Sequence, residues 1–436
     1  MNLRFIFPLF FIIVIQVSAQ QPQKVFVSDI DNYWIAYDSI QKVNEYAQKI
    51  RIINDLYISK GTKGLHAFMK AREYNDSLWV NLIEKYPKFW NSIRPNTLEV
   101  KKMVGEIEIA IAYLKQMYPQ LKEAEMYFTI GGLRSGGTID GNMSLVGCEI
   151  ATGNSSTDVS EFKSNWLKDV FKNQSLDNII LVNVHEYIHT QQKGDGNERV
   201  LTQCIREGAC DFITELVTKK PLRKNYILYG MKNAEQIKAL FKKEMFTSDF
   251  TNWLYNGGQK AEGADLGYYV GYEICKSYYN NFSNKQQAIQ DIIELNYEDT
   301  NAVENFLSKS GWYKEEINKR MLIEEYKKNQ PDITGIDPFK NGDLNVSSEI
   351  KEIKINFSKE MQPSGYSFSY SDKGKSFYPD FKVKGYENDN QTLVLQVNLK
   401  PGKEYEFVIT NNTFRSKDGY QFKHARYLIK FKTKPE

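Results

Sequence analysis

The sequence predicts an α+β protein in two parts: a mainly helical domain with a small β-sheet over residues 20–330, then an all-β sandwich over residues 331–436. Three observations predict it. From about Gln21 to Lys328, apolar residues recur at three- and four-residue spacings, as on one face of a helix. A single glycine-rich stretch interrupts that pattern between residues 126 and 151. After Pro331, apolar and polar residues alternate in short runs separated by turn signals, as in strands with one buried face. The length of 436 residues, two to three times that of a typical domain, agrees with more than one core.

In chain order, residues 1–19 (MNLRFIFPLFFIIVIQVSA) carry a basic Arg4, an apolar run at 5–15, and small residues at Val17-Ser18-Ala19. The run is too short for an ordinary membrane span, so it reads as a cleaved signal peptide. No Cys sits at the cleavage point, which argues against a lipid anchor. The expected location is exported: periplasmic, cell-surface or secreted. Helical periodicity follows at 43–57, 75–85, 98–117 and 288–295. Residues 126–130, the glycines at 131, 132, 136, 137 and 141, and residues 143–151 read as strand, glycine-rich turn, strand. In the C-terminal part, 349–358, 392–399, 405–410 and 426–433 alternate as strands, with turns at Pro363, Gly365, 400–402 and 417–419.

Composition narrows the function classes. Hydrophobic residues make up 41% and charged residues 25%, which excludes a disordered chain and a multi-span membrane protein. Lys plus Arg number 57 against 54 Asp plus Glu, a net charge of +3. A protein held to nucleic acid by phosphate contacts carries a stronger basic bias, so no nucleic-acid partner is expected. Aromatics reach 14%, which suits large cores or a polymer-binding surface. Four cysteines, Cys148, Cys204, Cys210 and Cys275, are too few for a disulfide scaffold and leave three connectivities open. Cys204 and Cys210 lie six apart in a predicted helix and face different ways, and no CxxC spacing points to a zinc knuckle.

The chemistry-bearing motif is HEYIH at 185–189, inside the apolar stretch 176–192. On a helix His185 and His189 are i and i+4, so both imidazoles reach one metal ion, and Glu186 lies one residue round as a general base. Two of the four histidines in the chain fall in this pentad; the plain alternative is a pair of helix-face histidines satisfied by hydrogen bonds. Zn²⁺ held by neutral imidazoles keeps a position open for water and needs a third protein ligand. Glu207 follows His189 by eighteen positions, after a turn at 193–197 and within a predicted helix at 198–218. An antiparallel helix pair would bring it opposite the histidines. Asp211, four residues further, is placed to accept the outward N–H of a ligand imidazole, His185 first. The plain alternative is two surface carboxylates. His66 and His424 read as structural.

HEYIH followed by a helix with ExxxD, Glu207 to Asp211, resembles the gluzincin zinc metallopeptidases. Together with GGLRSGGTIDGNMSLVGCEI (131–150), HEYIHTQQ (185–192), REGACD (206–211) and LGYYVGYEI (266–274), it is similar to the uncharacterised bacterial family of predicted Zn-dependent proteases, over roughly residues 50–300. The resemblance implies a zincin-like fold, Zn²⁺ as cofactor, His185, His189 and Glu207 as ligands, and Glu186 as catalytic base. It implies a cleft strand to which substrate backbone adds, here 143–151. It also implies an oxyanion donor. No His lies between His189 and His424, so Tyr268 is the first candidate, with Tyr269 and Tyr272 behind it and Arg134 in reserve. Gly267 and Gly271 make a smooth face for close packing against the zinc helices. INFSKEM (355–361), LKPGKEYEFVIT (399–410) and SKDGY (416–420) resemble bacterial Ig-like domains, which implies docking to the cell envelope and no catalytic group.

The resulting expectation is a secreted zinc peptidase acting on a peptide or protein substrate, with an accessory Ig-like sandwich. Two rivals stand beside it: a cell-surface binding or adhesion protein with a non-catalytic metallopeptidase fold, and a zinc hydrolase of a non-peptide amide. Since every candidate catalytic group precedes Lys328, the part before it is expected to fold alone.

Overall fold

The computed structural model describes residues 24–163, 167–168, 170–171, 179–256 and 263–436. The signal segment 1–19 lies outside the described residues. Helices dominate as far as Asn329 and strands from Ile333 onward, so the chain is α+β. It forms two compact units interleaved along the sequence. One takes the described residues up to Lys193 with Cys210–Leu222 and Asn284–Glu294; the other takes Gly194–Ala209, Arg223–Ser283 and Leu295–Glu436.

In the first unit, β1 (Val25–Phe26), β2 (Glu125–Thr129), β3 (Gly137–Asp140) and β4 (Met143–Gly147) form one sheet in the order β1-β2-β4-β3. β1 and β4 run parallel to β2, while β3 is antiparallel to β4. The sequence predicts a hairpin between 126–130 and 143–151. Instead Thr138, Ile139 and Asp140 supply the hairpin partner, turning through Gly141 at a φ of 57° that glycine adopts without strain. Cys148–Ala151, expected as strand, is a helical turn. This corrects the substrate strand: β4 is paired on both edges, so no added strand can reach it, and the edge on its side of the sheet is β3.

The aromatic residues serve the core. Tyr33, Tyr57, Trp79, Phe89 and Trp90 are fully buried, with Tyr57 edge-on to Trp79 at 5.2 Å. Their polar tips hold the start of the glycine-rich turn: the Tyr57 hydroxyl donates to the Ile130 carbonyl at 2.5 Å, and the Trp79 indole to that of Gly131 at 2.8 Å. Glu149, fully buried, completes the clamp by accepting from the N–H groups of Gly131 (2.7 Å) and Leu133 (3.1 Å). The histidine helix, Ile179–His189, packs against the long helix Pro87–Met117 and against β3 and β4. Its C-terminal end is pegged beside β2. The Tyr187 hydroxyl accepts from Ala124 N–H at 3.1 Å, and the Gln191 amide bonds both backbone groups of Lys122 at 2.9 Å.

The second unit joins helices to a β-sandwich. Strands β5 (Ile333–Asp337), β6 (Glu352–Phe357), β7 (Phe368–Ser369), β8 (Asp380–Glu387), β9 (Thr392–Asn398), β10 (Glu404–Thr410) and β11 (Arg426–Lys432) form sheets ordered β5-β6-β9-β8 and β11-β10-β7. Alternation decides which side chains turn inward: Ile353, Ile355 and Phe357 of β6 meet Phe407 and Ile409 of β10 in one apolar core. Arg415 is buried and bonds both oxygens of Asp249, with Nη2–Oδ1 at 2.5 Å, and the Thr251 hydroxyl at 2.8 Å. Sandwich and helical residues thus share one buried ion pair inside this unit. No helix among the described residues is long and apolar enough to cross a membrane. No disulfide links the four cysteines, all buried.

Candidate metal centre

The HEYIH helix brings His185 and His189 together in the first unit, with Nε2 atoms 3.1 Å apart and rings crossed at 77°. Each ring is fixed from behind. Nδ1 of His185 lies 2.8 Å from Oδ1 of Asp211, which is fully buried. A carboxylate only accepts, so that nitrogen carries the proton and Nε2 carries the lone pair. Nδ1 of His189 lies 2.7 Å from Oε1 of Gln192, and with the amide in that orientation the same tautomer follows. With both rings in that tautomer two Nε2 lone pairs face each other across 3.1 Å; with the His189 proton on Nε2 instead, the same contact is a ring-to-ring hydrogen bond. A cation between the two lone pairs satisfies both.

Paired imidazole nitrogens are donors that a transition metal such as zinc takes. Two nitrogens each about 2.0–2.1 Å from one ion stand about 3.1–3.4 Å apart at near-tetrahedral angles, and the observed separation falls there. Cys210 belongs to the same cluster, in which potential ligand atoms of His185, His189 and Cys210 lie within 4.8 Å of one another. Its sulfur is 3.3 Å from Nδ1 of His189, the nitrogen that faces Gln192, and so backs the ring from the side away from the Nε2 pair. Glu186 is half-buried and stands outside that cluster.

Glu207 and Tyr268 fall in the second unit. Glu207 is buried on the helix Val200–Thr218, one turn before Asp211, and its Oε1 lies 3.4 Å from Nη1 of Arg206. The phenol of Tyr255 is pushed up to about 12, first by burial and then by the charge of Glu207. Gly208, next to Glu207, meets the helix Leu266–Asn281 backbone to backbone: a Cβ on Gly208 would lie 2.1 Å from the carbonyl carbon of Gly271. A Cβ on Gly271 would lie 1.7 Å from the carbonyl oxygen of Cys204, and one on Gly267 2.6 Å from its sulfur. The two glycines are where the Glu207 helix seats. Of the three tyrosines, Tyr269 and Tyr272 are buried, while Tyr268 is half-buried with its ring 5.2 Å from that of Tyr226. Arg134 donates to the carbonyls of Arg72 (2.8 Å) and Glu73 (3.1 Å), closing a helix end. His424 pairs with Asp332 at 2.8 Å.

Sequence reasoning missed Gln192 and Cys210. Gln192 stands three residues after His189, a spacing that could have suggested a local bond to its ring. Cys210 carried no such signal, because a thiol beside an acid on a packed helix reads as core.

A GldB-like region followed by a bacterial Ig-like domain marks an exported or cell-envelope protein. The bacterial Ig-like domain family matches residues 327–433, in line with the C-terminal motifs. The family described as gliding motility protein GldB matches residues 14–312, and the chain belongs to it. That description names motility and not peptide hydrolysis. No curated protein matches the chain. Among solved structures, domains 1–6 of surface layer protein SbsC align at 10% identity over 93% of this chain and 41% of that one, with a TM-score of 0.19. The N-terminal part of the S-layer protein SbsC aligns at 12% identity over 93% of this chain and 71% of that one, with a TM-score of 0.17. The chain thus spans less than half of the first, and scores this low carry no argument about fold or function.

Proposed function

We propose that this protein is a zinc-dependent peptidase of the cell envelope, with His185 and His189 holding the ion. The observation that supports this most is the pair of Nε2 atoms 3.1 Å apart, each on a ring whose other nitrogen is bonded to Asp211 or Gln192. Glu207 is the third ligand that the gluzincin resemblance supplies. When bound, the ion supplies Lewis-acid polarisation and a water acidic enough to attack near neutral pH. Asp211 and Gln192 keep both rings in the ligating tautomer. The Glu186 carboxylate takes the proton of the attacking water and returns it to the leaving amine nitrogen. Tyr268 is the donor proposed for the oxyanion. A zinc hydrolase of a non-peptide amide would use the same groups.

The test is Glu186→Gln, assayed for bound zinc and for cleavage of a peptide library. Full zinc occupancy with at least about a hundredfold loss of turnover is expected for a missing general base. Loss of zinc, or near-normal turnover, removes Glu186 from that role. The same zinc titration on Glu207→Ala decides the third ligand: normal affinity would remove it. A second reading draws on the family's description: a non-catalytic envelope component of a motility apparatus, in which the metal only braces the fold. Zinc-loaded wild type that cleaves nothing in the library favours it.

A further inference from the structure

A different part of the second unit carries an interaction surface. Residues 223–244 hold six Lys or Arg against Glu235 and Glu244, a local charge of +4 in a chain of +3, so the remainder carries −1. Two consecutive helices, Asn225–Lys232 and Ala234–Glu244, occupy this segment and touch each other. Their inner faces are engaged: a Cβ on Gly230 would lie 2.3 Å from the Tyr269 ring, and Ile237 and Phe241 are buried. Lys242 turns to Glu315 at 2.7 Å, and Lys238 donates to the Trp312 carbonyl.

The outward faces are otherwise composed. Leu228 and Met231, neighbours at i and i+3, are 53% and 63% exposed, and Leu240 is 38% exposed. Arg223, Lys232 and Lys243 are exposed on the same segment, and none of these three enters an ion pair among the described residues. Exposed aliphatic residues interspersed along a segment with unpaired cations are what a helix lying in the surface of an anionic bilayer presents: the aliphatic groups enter the acyl boundary and the cations stay with the headgroups. A protein partner of comparable strength would rest on aromatic anchors, and none of the three exposed large apolar residues of this segment is aromatic. We infer that the helices spanning residues 225–244 dock this exported or cell-envelope protein onto an anionic lipid surface through Leu228, Met231 and Leu240, flanked by Arg223, Lys232 and Lys243.

The test is cosedimentation of the chain from Gln20 onward, so that the apolar leader contributes nothing. The vesicles are phosphatidylcholine alone or phosphatidylcholine mixed with phosphatidylglycerol. Binding is expected only to the mixed vesicles, falling with added salt. Each cation near an anionic surface contributes about fivefold to partitioning, so Lys232→Gln with Lys243→Gln should weaken binding about 25-fold. Leu228→Ser with Met231→Ser should weaken it while leaving the salt dependence, and melting curves and zinc content should match wild type in both variants. Absence of binding to the mixed vesicles, equal binding to neutral ones, or binding unchanged in both variants overturns the inference. So does a wild-type dimer that Met231→Ser dissolves, which would make the face a contact between two copies of this chain.

Discussion

Glu149 makes stability depend on pH in a direction opposite to that of most carboxylates. It is fully buried behind the glycine-rich turn, and burial lifts its carboxyl from an ordinary 4.5 to about 7 although the backbone N–H groups of Gly131, Leu133 and Glu149 itself oppose the shift. Between those values the folded chain binds more protons than the unfolded chain. Stability therefore falls as pH rises from about 4.5 to about 7 and levels off above. A shift of about 2.5 units at about 1.4 kcal/mol per unit makes the loss about 3 kcal/mol. The perturbation is Glu149→Gln, which cannot ionise. Its amide can accept only through one oxygen, so Gly131 or Leu133 loses its acceptor at a cost of about 1–3 kcal/mol that does not change with pH. Urea unfolding of both proteins across about pH 4–9, followed by tryptophan fluorescence, gives a difference curve in which other titrations cancel. Wild type should lose about 3 kcal/mol relative to the variant through that window. A flat difference would mean that the hydrogen bonds of Glu149 cancel its burial, and one that rises with pH that they outweigh it; either refutes the raised carboxyl.

Three further outcomes are expected. Asp211→Ala removes the acceptor that fixes the His185 tautomer and should weaken zinc binding about 10–100-fold in a chelator competition; unchanged affinity would reduce Asp211 to a core residue. Gly271→Ala puts a methyl 1.7 Å from the Cys204 carbonyl oxygen, where backbone and not a flexible side chain must yield. It should cost about 1–3 kcal/mol or more by urea unfolding, and a neutral result would mean that the helices part freely. Arg415→Ala leaves Asp249 buried without its cation and should cost about 3–5 kcal/mol. By the same reasoning a chain ending at Lys328 should melt well below the full chain, and an equal melting temperature for both would show that the sandwich contributes nothing to the helices of its unit.

Local periodicity decided what was legible in the sequence alone. The i, i+4 spacing put His185 and His189 on one helical face wherever that helix lies, because 3.6 residues per turn leaves no other choice. Alternation in 352–357 and 392–398 gave the sandwich strands their inward faces for the same kind of reason. Glycines four apart announced a close helix approach at Gly267 and Gly271. Only tertiary structure decided the rest, because it turns on partners far along the chain. β4 became an interior strand when Thr138–Asp140 folded back beside it, which moved the free edge of the sheet to β3. Asp211 reached His185 from 26 positions away, and Gln192 and Cys210 gathered behind His189. The raised carboxyl of Glu149 and the pairing of Asp249 with Arg415 depend on burial and on contacts 166 positions apart. Desolvation belongs to a packed environment and not to a residue type, so composition and spacing carry no trace of it.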